Sequence, residues 1–460
     1  MDRRAVFTAT VMAAAFLGAI GFTTADERRA NDLTFRDSTG VQQTMTTAGA
    51  IDANNPFFQD IGTNGRACFS CHRPDEGWTV TPDDIQRRFN ESRGLDPIFR
   101  TNDGSNCEGA DISTLPRRRK AFSMLLSKGL IRVGMAVPSN AEFEIVDVSD
   151  PYSCGSTLNQ ASLYRRPLPS TNLRFLSTVM WDGRETAAGR SIRDDLASQA
   201  FDATIGHAQG GPPAPDQVNA IVDFELGLFT AQIQDHRAGG LRAHGADGGP
   251  SALMAQPFCL GINDPLNILP STPGACAVSS GGLNPAVFTA FSSWNESQSE
   301  SRRAIARGEA IFNSRPFVID NVGGLNAGPG DPVAGPMVGT CTVCHDSPGA
   351  GSHSVAMPLD IGVADASRRT PDLPLYTLEN RITHDIRTVT DPGRAMVTGK
   401  WADIGKFKGP TLRALAVRAP YFHNGSAATL EEVVEFYDQR FHMDLSRRER
   451  ADLVRFLSAL

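Results

Sequence analysis

Apolar residues recur along the chain with two periods, and the change between them marks the elements. From Leu115 to Leu130 the spacing predicts a helix that stops near Gly129. Residues 131–148 then alternate: Ile131, Val133 and Val137 interleave with Arg132, Gly134 and Ala136, and Phe143, Ile145 and Val148 follow a Pro138-Ser139-Asn140 turn. This pattern predicts a small β-hairpin. Asp216 to Ile233 is apolar on most sides (Val218, Ile221, Val222, Phe224, Leu226, Leu228, Phe229), which predicts a buried helix. Residues 238–282 are rich in Gly, Pro, Ser and Ala and read as a surface loop. A helix resumes near Ser301, with Ile305 and Ile311 on its apolar face. Thr429-Leu430-Glu431-Glu432 and Ser446-Arg447-Arg448-Glu449 both match a capping box, and the second opens a helix with Leu453, Val454, Leu457 and Leu460 on one face.

Composition narrows the class. The chain has 460 residues, 40% hydrophobic and 21% charged, with a formal net charge of -7. That is an ordinary globular make-up, and the acidic balance argues against nucleic-acid binding. Arg117-Arg118-Arg119-Lys120 reads as a solvated helix face. The first 25 residues read as a signal peptide: Arg3 and Arg4, an uncharged run from Ala5 to Phe22, then Thr23-Thr24-Ala25. An uncleaved membrane anchor is the alternative, because the run approaches spanning length. Its Ala, Thr and Gly content favours cleavage, which predicts a periplasmic protein with no stable membrane insertion.

Eight cysteines change the picture further. Cys68-Phe69-Ser70-Cys71-His72 and Cys341-Thr342-Val343-Cys344-His345 both fit the attachment pattern of a c-type haem. Two thiols add to the two vinyl groups of one haem, and the adjacent His lies under the iron. Zinc sites and redox dithiols are the alternatives. Neither suits two widely separated copies in an exported chain. Two covalently bound haems are therefore expected. For the remaining cysteines, Cys107–Cys154 and Cys259–Cys276 are the simplest disulfide pairing.

Further motifs carry a resemblance. Lys406-Phe407-Lys408-Gly409-Pro410-Thr411-Leu412-Arg413 is followed by Ala419-Pro420-Tyr421-Phe422-His423-Asn424-Gly425-Ser426 and Thr429-Leu430-Glu431-Glu432-Val433-Val434, and Met180-Trp181-Asp182-Gly183-Arg184 lies in the N-terminal half. Together with both haem motifs this set resembles the bacterial di-haem cytochrome c peroxidase and MauG family over most of residues 55–460. The resemblance implies a mainly α fold of two cytochrome c-like domains, here with the small hairpin inserted in the first. Residues 26–300 would hold the peroxide-reacting haem and 301–460 the electron-transfer haem. It implies hydrogen peroxide as substrate, a small electron-donor protein (a cytochrome c or cupredoxin), and leaves a homodimer open. Trp181 would lie between the haems, against the alternative of a core aromatic. Gln199 resembles the family's distal glutamine, while the family's glutamate is missing at its usual distance. His207 is then the candidate acid–base, an iron ligand, or a surface histidine. No histidine lies between His72 and His207, so the distal-histidine switch of the peroxidases is absent or rebuilt, as in the MauG branch. The ligand position of the second haem, fourteen residues past His423, holds Tyr437, with Met443 competing. The family's interdomain calcium, held through carbonyls near Arg418 and Pro420, lacks an evident side-chain ligand in the N-terminal half. The same machinery allows a MauG-like enzyme acting on a protein or organic substrate, or a non-enzymatic di-haem electron carrier.

Overall fold

A computed structural model describes residues 32–153, 156–259, 261–263, 276, 283–328, 331–352 and 358–460. The expected signal segment and Cys154 lie outside the described residues. In chain order the elements are β1 (Asp32–Arg36), β2 (Gly40–Thr46), α1 (Pro82–Ser92), α2 (Leu115–Ala121), α3 (Ser123–Lys128), β3 (Ile131–Ala136), β4 (Phe143–Ser149), β5 (Gln160–Arg165), α4 (Ile192–Gly206), α5 (Pro215–Leu226), β6 (Leu228–Asp235), β7 (Gly239–Gly240), α6 (Pro250–Ala255), α7 (Glu300–Ser314), β8 (Phe317–Ile319), β9 (Met337–Gly339), β10 (Leu375–Asn380), β11 (Ile386–Val389), α8 (Ala395–Thr398), α9 (Leu430–Phe441) and α10 (Arg447–Ser458).

The expectation of a mainly α chain needs correction. Among the described residues the helices are joined by four small antiparallel sheets, ordered β1-β2-β6-β7, β11-β10-β4, β3-β5 and β8-β9. The hairpin is also wrong in its pairing. β3 joins β5, with Val133 opposite Leu163, while β4 joins β10, with Ile145 opposite Leu378. Alternation reports a strand with one buried face and says nothing about its partner. Phe143 and Ile145 find their apolar cover on Tyr376 and Leu378.

The helix expected over 216–233 ends at Leu226, and the chain re-enters as β6. Both faces of β6 are buried at its start, Thr230 and Gln232 included. Its alternation of these residues with Phe229, Ala231 and Ile233 follows directly on the apolar positions of α5, so the join is not marked by a change in burial. The stretch from 238 is not all surface loop either. Ala238, Leu241, Ala246 and Leu253 are buried, and α6 lies within it. The Cys259–Cys276 disulfide is present, and Cys107 is disulfide-bonded.

The predicted α2–α3 segment forms with a break at Phe122 and ends on Gly129 at φ +62. At α10 the Ser446 hydroxyl accepts from Glu449 N while the Glu449 carboxylate accepts from Ser446 N. At α9 Thr429 caps Glu432 N, but the Glu432 carboxylate takes Ala428 N instead. α7 and α10 cross at Gly308, where a Cβ would lie 2.1 Å from the Asp452 carbonyl oxygen. That close approach seats Phe312, Phe288 and Phe456 in one aromatic cluster, with the Phe312 ring 6.0 Å from the His345 ring.

Candidate haem centres

Each Cys-x-x-Cys-His segment closes on itself. Cys68–Ser70 and Cys341–Val343 form single 3-10 turns. His72 N donates to Cys68 O at 3.0 Å and His345 N to Cys341 O at 3.1 Å. The turn brings both thiols and the imidazole onto the wall of one cavity, of about 1440 Å³ at the first motif and about 1470 Å³ at the second, open mouths included. His72 Nδ1 donates to the Trp78 carbonyl at 3.0 Å, and His345 Nδ1 to the Gly351 carbonyl at 2.7 Å. A backbone acceptor on Nδ1 fixes the ring and presents Nε2 as the ligating nitrogen. Burial lowers His72 to about 4, which keeps it in the neutral, ligating form.

These residues fit haem. The cavity walls are largely apolar, as a porphyrin face requires, and two buried cations, Lys408 and Arg166, line them and could answer anionic propionates. Lys408 is 5% exposed, donates to the Thr178 carbonyl at 2.8 Å, and is lowered to about 7 by burial. Arg166 is likewise buried, and its hydrogen bonds go to backbone carbonyls. A buried cation without a carboxylate is costly; an anionic group in the adjoining cavity would offset that cost.

Trp181 and Lys408 line both cavities. The indole Nε1 donates to Arg166 O at 2.8 Å, and Lys408 N donates to Trp181 O at 2.9 Å. The Trp181 ring lies 6.2 Å from the His423 ring, which stacks on Phe407 at 3.9 Å. The turn carrying the tryptophan is held from below. Asp182 pairs with Arg165 and Arg184; despite its burial, these cations hold its carboxyl down at about 2. Gly183 sits at φ +70, where a side chain would be strained, and a Cβ there would push aside Arg394 Nη1 at 2.7 Å.

The other expected side chains assort by cavity. Gln199 and His207 line the first, Tyr437 and Met443 the second. His207 Nδ1 lies 2.5 Å from Asp103 Oδ2. Burial pushes the Tyr437 phenol up. Sequence reasoning missed Glu225, a buried acid on the first cavity wall whose Oε2 has no hydrogen-bond partner among the described residues. Burial pushes it up to about 7. Its signal was a lone acid on the apolar face of α5. Arg66 and Asp103 were missed too, and neither stands in a recognisable motif.

At the position where the resemblance implies calcium, the Arg418 carbonyl already has a side-chain donor. The Arg166 guanidinium already takes the carbonyls of Lys128, Val80, Arg418 and Ala419, at 2.7, 2.8, 3.1 and 3.5 Å. A cation in that cluster repels a second one. Among the described residues no group of three or more His, Cys, Asp or Glu could hold a metal ion. Nor is any helix there long and apolar enough to cross a membrane.

No family model matches the chain. It is 33% identical over 140 residues to cytochrome-c peroxidase IdrP1 of Pseudomonas sp. (strain SCT), covering 26% of this chain and 36% of that protein. It is 35% identical over 133 residues to cytochrome-c peroxidase IdrP2 of Denitromonas iodatirespirans, with the same coverage. It is 44% identical over 69 residues to cytochrome c551 peroxidase of Nitrosomonas europaea, covering 15% of this chain and 21% of that protein. The match thus spans about a third of the length of the first two relatives. Among solved structures, a MauG-like protein associated with microbial copper homeostasis aligns over 88% of this chain and 86% of its own, at TM-score 0.40 and 16% identity. The likeness to cytochrome c peroxidases drawn from the motifs is borne out by the sequence matches.

Proposed function

We propose, from the likeness to cytochrome-c peroxidases, that this chain is a periplasmic di-haem c-type oxidoreductase that reduces hydrogen peroxide with electrons from a small redox protein. One observation carries the reading: two haem-attachment cavities share a wall made of Trp181 and Lys408. A carrier with two independent haems has no need of a common aromatic wall. Haem supplies the redox chemistry. The chain's own residues divide the remaining work. His72 and His345 hold the two irons. Gln199 and His207 face the first cavity, where peroxide binds and its protons must move. Tyr437, with Met443 as the competitor, lines the second cavity and would ligate the iron held there, which would supply the site of electron entry. Trp181 conducts between them.

The second reading is a MauG-like enzyme that oxidises a protein or organic substrate. Tyr437 on the second cavity wall favours it, together with the absence of histidine between His72 and His207. The experiment is to express the chain with a c-type haem maturation system and record optical and EPR spectra before and after peroxide. High-spin ferric iron at one haem that reacts with peroxide, and returns quickly on adding reduced cytochrome c, supports the peroxidase. An oxidised state that outlasts reduced cytochrome c supports the MauG-like reading. Two low-spin haems indifferent to peroxide, even after half-reduction, leave an electron carrier. Tyr437→Phe should alter the spectrum of the second haem alone; if Met443→Leu does so instead, methionine is the ligand.

A further inference from the structure

We infer that Asp103 is the positioning residue of a His207–Asp103 dyad at the first cavity, and that this dyad carries the proton that peroxide must move between its two oxygens. The inference rests on the peroxide reading above and adds the device that serves it.

His207 caps the C-terminal end of α4, and its Nδ1 lies 2.5 Å from Asp103 Oδ2. Asp103 is 6% exposed, and its other oxygen pairs with Arg66 Nη1. Arg66 is 2% exposed and stands two residues before Cys68. Its remaining donors reach Pro97 O at 2.9 Å, Ile98 O at 2.6 Å and the His207 carbonyl at 3.2 Å. That carbonyl also takes Asn64 Nδ2 at 2.8 Å and Asn102 Nδ2 at 3.4 Å. Both the ring and the backbone of His207 are thus tied to the segment that bears the first haem's thiols.

This is not how a surface histidine is built. An exposed ion pair contributes little and needs no buried frame. Here the carboxylate is buried, has its own guanidinium, and lines the same cavity as His207, Gln199 and His72. Although burial opposes it, His207 and then Arg66 hold the Asp103 carboxyl below the usual carboxylate range, so it is an anion and only accepts. With Asp103 accepting, the hydrogen between the two groups sits on Nδ1, and Nε2 is the nitrogen left to meet a substrate. The His207 side chain is 44% exposed, so the ring is open to solvent.

The step balances. Nε2 takes the proton from one peroxide oxygen and returns it to the other as the O–O bond breaks, and water leaves. His207 ends in the form in which it began, and Asp103 stays ionised throughout, stabilising the imidazolium in between. Two electrons from the redox partner and two solvent protons convert the remaining oxygen to the second water.

The test uses the full haem-loaded chain and two stopped-flow rate constants at the first haem. One is for hydrogen peroxide. The other is for hydrogen cyanide, which binds as the anion and must also hand a proton to a base, yet undergoes no turnover. His207→Gln should slow both by about a hundredfold or more, and Asp103→Asn by at least about tenfold, the range of a lost or misaligned acid–base. Asp103→Glu should recover part of the loss, with resting spectra unchanged in all variants. Should Asp103→Asn fail to fold with Arg66 left unpaired, His207→Gln and Asp103→Glu still decide. Wild-type rates in either Asp103→Asn or His207→Gln overturn the inference. So does a change from low-spin to high-spin iron in His207→Gln, because His207 would then be an iron ligand. A wild-type protein that binds cyanide through the dyad but does not consume peroxide removes the peroxidase reading and leaves the dyad standing.

Discussion

Around the first motif the cavity wall carries Arg66, Asp103, Gln199, His207 and Glu225; around the second it carries Phe312, Phe317, Phe407, Phe441, Tyr437 and Met443. The attachment motif is the same in both and the volumes nearly equal. The difference shows that the motif fixes where a haem sits, while the wall fixes what can happen at it. A wall with a fixed imidazole and buried acids can shuttle protons. The second wall is mostly apolar and aromatic around Tyr437 and Met443, with Tyr421, His423 and Lys408 among its other polar side chains, and suits ligation of an iron and exclusion of water.

The comparison breaks most sharply by removing one haem at a time. Cys68→Ser with Cys71→Ser, or Cys341→Ser with Cys344→Ser, should each halve the haem measured by pyridine haemochrome. Only the first pair should abolish the initial peroxide reaction; its loss in the second pair would make the two walls equivalent. Next in size is Arg166→Ala. It strips the donor from four carbonyls drawn from both halves and should cost roughly 3 kcal/mol or more in thermal or denaturant unfolding. Lys408→Met keeps the shape of a side chain shared by both cavities but removes its charge. Both midpoint potentials should fall in a redox titration; a fall in only one would show that the wall is not shared. A smaller effect follows from Asp182. Its folded pKa is depressed from 3.8 to about 2, so its contribution is full above the ordinary carboxylate pKa. It is lost as the pH falls through about 2, and Asp182→Asn should flatten that part of the acid unfolding curve. The smallest expected effect is that of a calcium chelator: haem spectra that stay unchanged match a cluster whose carbonyls Arg166 already takes, and spectra that shift place calcium on carbonyls other than those.

Both haem segments, the Trp181 turn and the C-terminal helix caps were legible because each is set by residues close together in sequence. What escaped depends on distance or on ambiguous period. The pairing of β4 with β10 cannot be read from alternation, which specifies a buried face and no partner. The stretch after Gly227 alternates Phe229, Ala231 and Ile233 with Thr230 and Gln232, but it runs on from the apolar positions of α5 and the join is set by packing. Asp103 gave no signal at all, for it meets His207 only through the fold. Lys408 was legible as part of a motif, but its place between two cavities was not.

The strand pairing across the chain also sets an order of events. Cys68 and Cys71 leave the ribosome long before the segment that β4 requires, since Ser149 meets Leu375 and Phe143 meets Asn380. Until then Phe143 and Ile145 have Ala161 and Leu163 of their cluster but lack Tyr376 and Leu378, and β4 is an open edge. In that interval the cavity around the first pair of thiols also lacks Lys408 and Thr411, which complete its wall. Slowing synthesis between residues 150 and 375 should therefore lengthen the window for modification and, by the same exposure, for proteolysis.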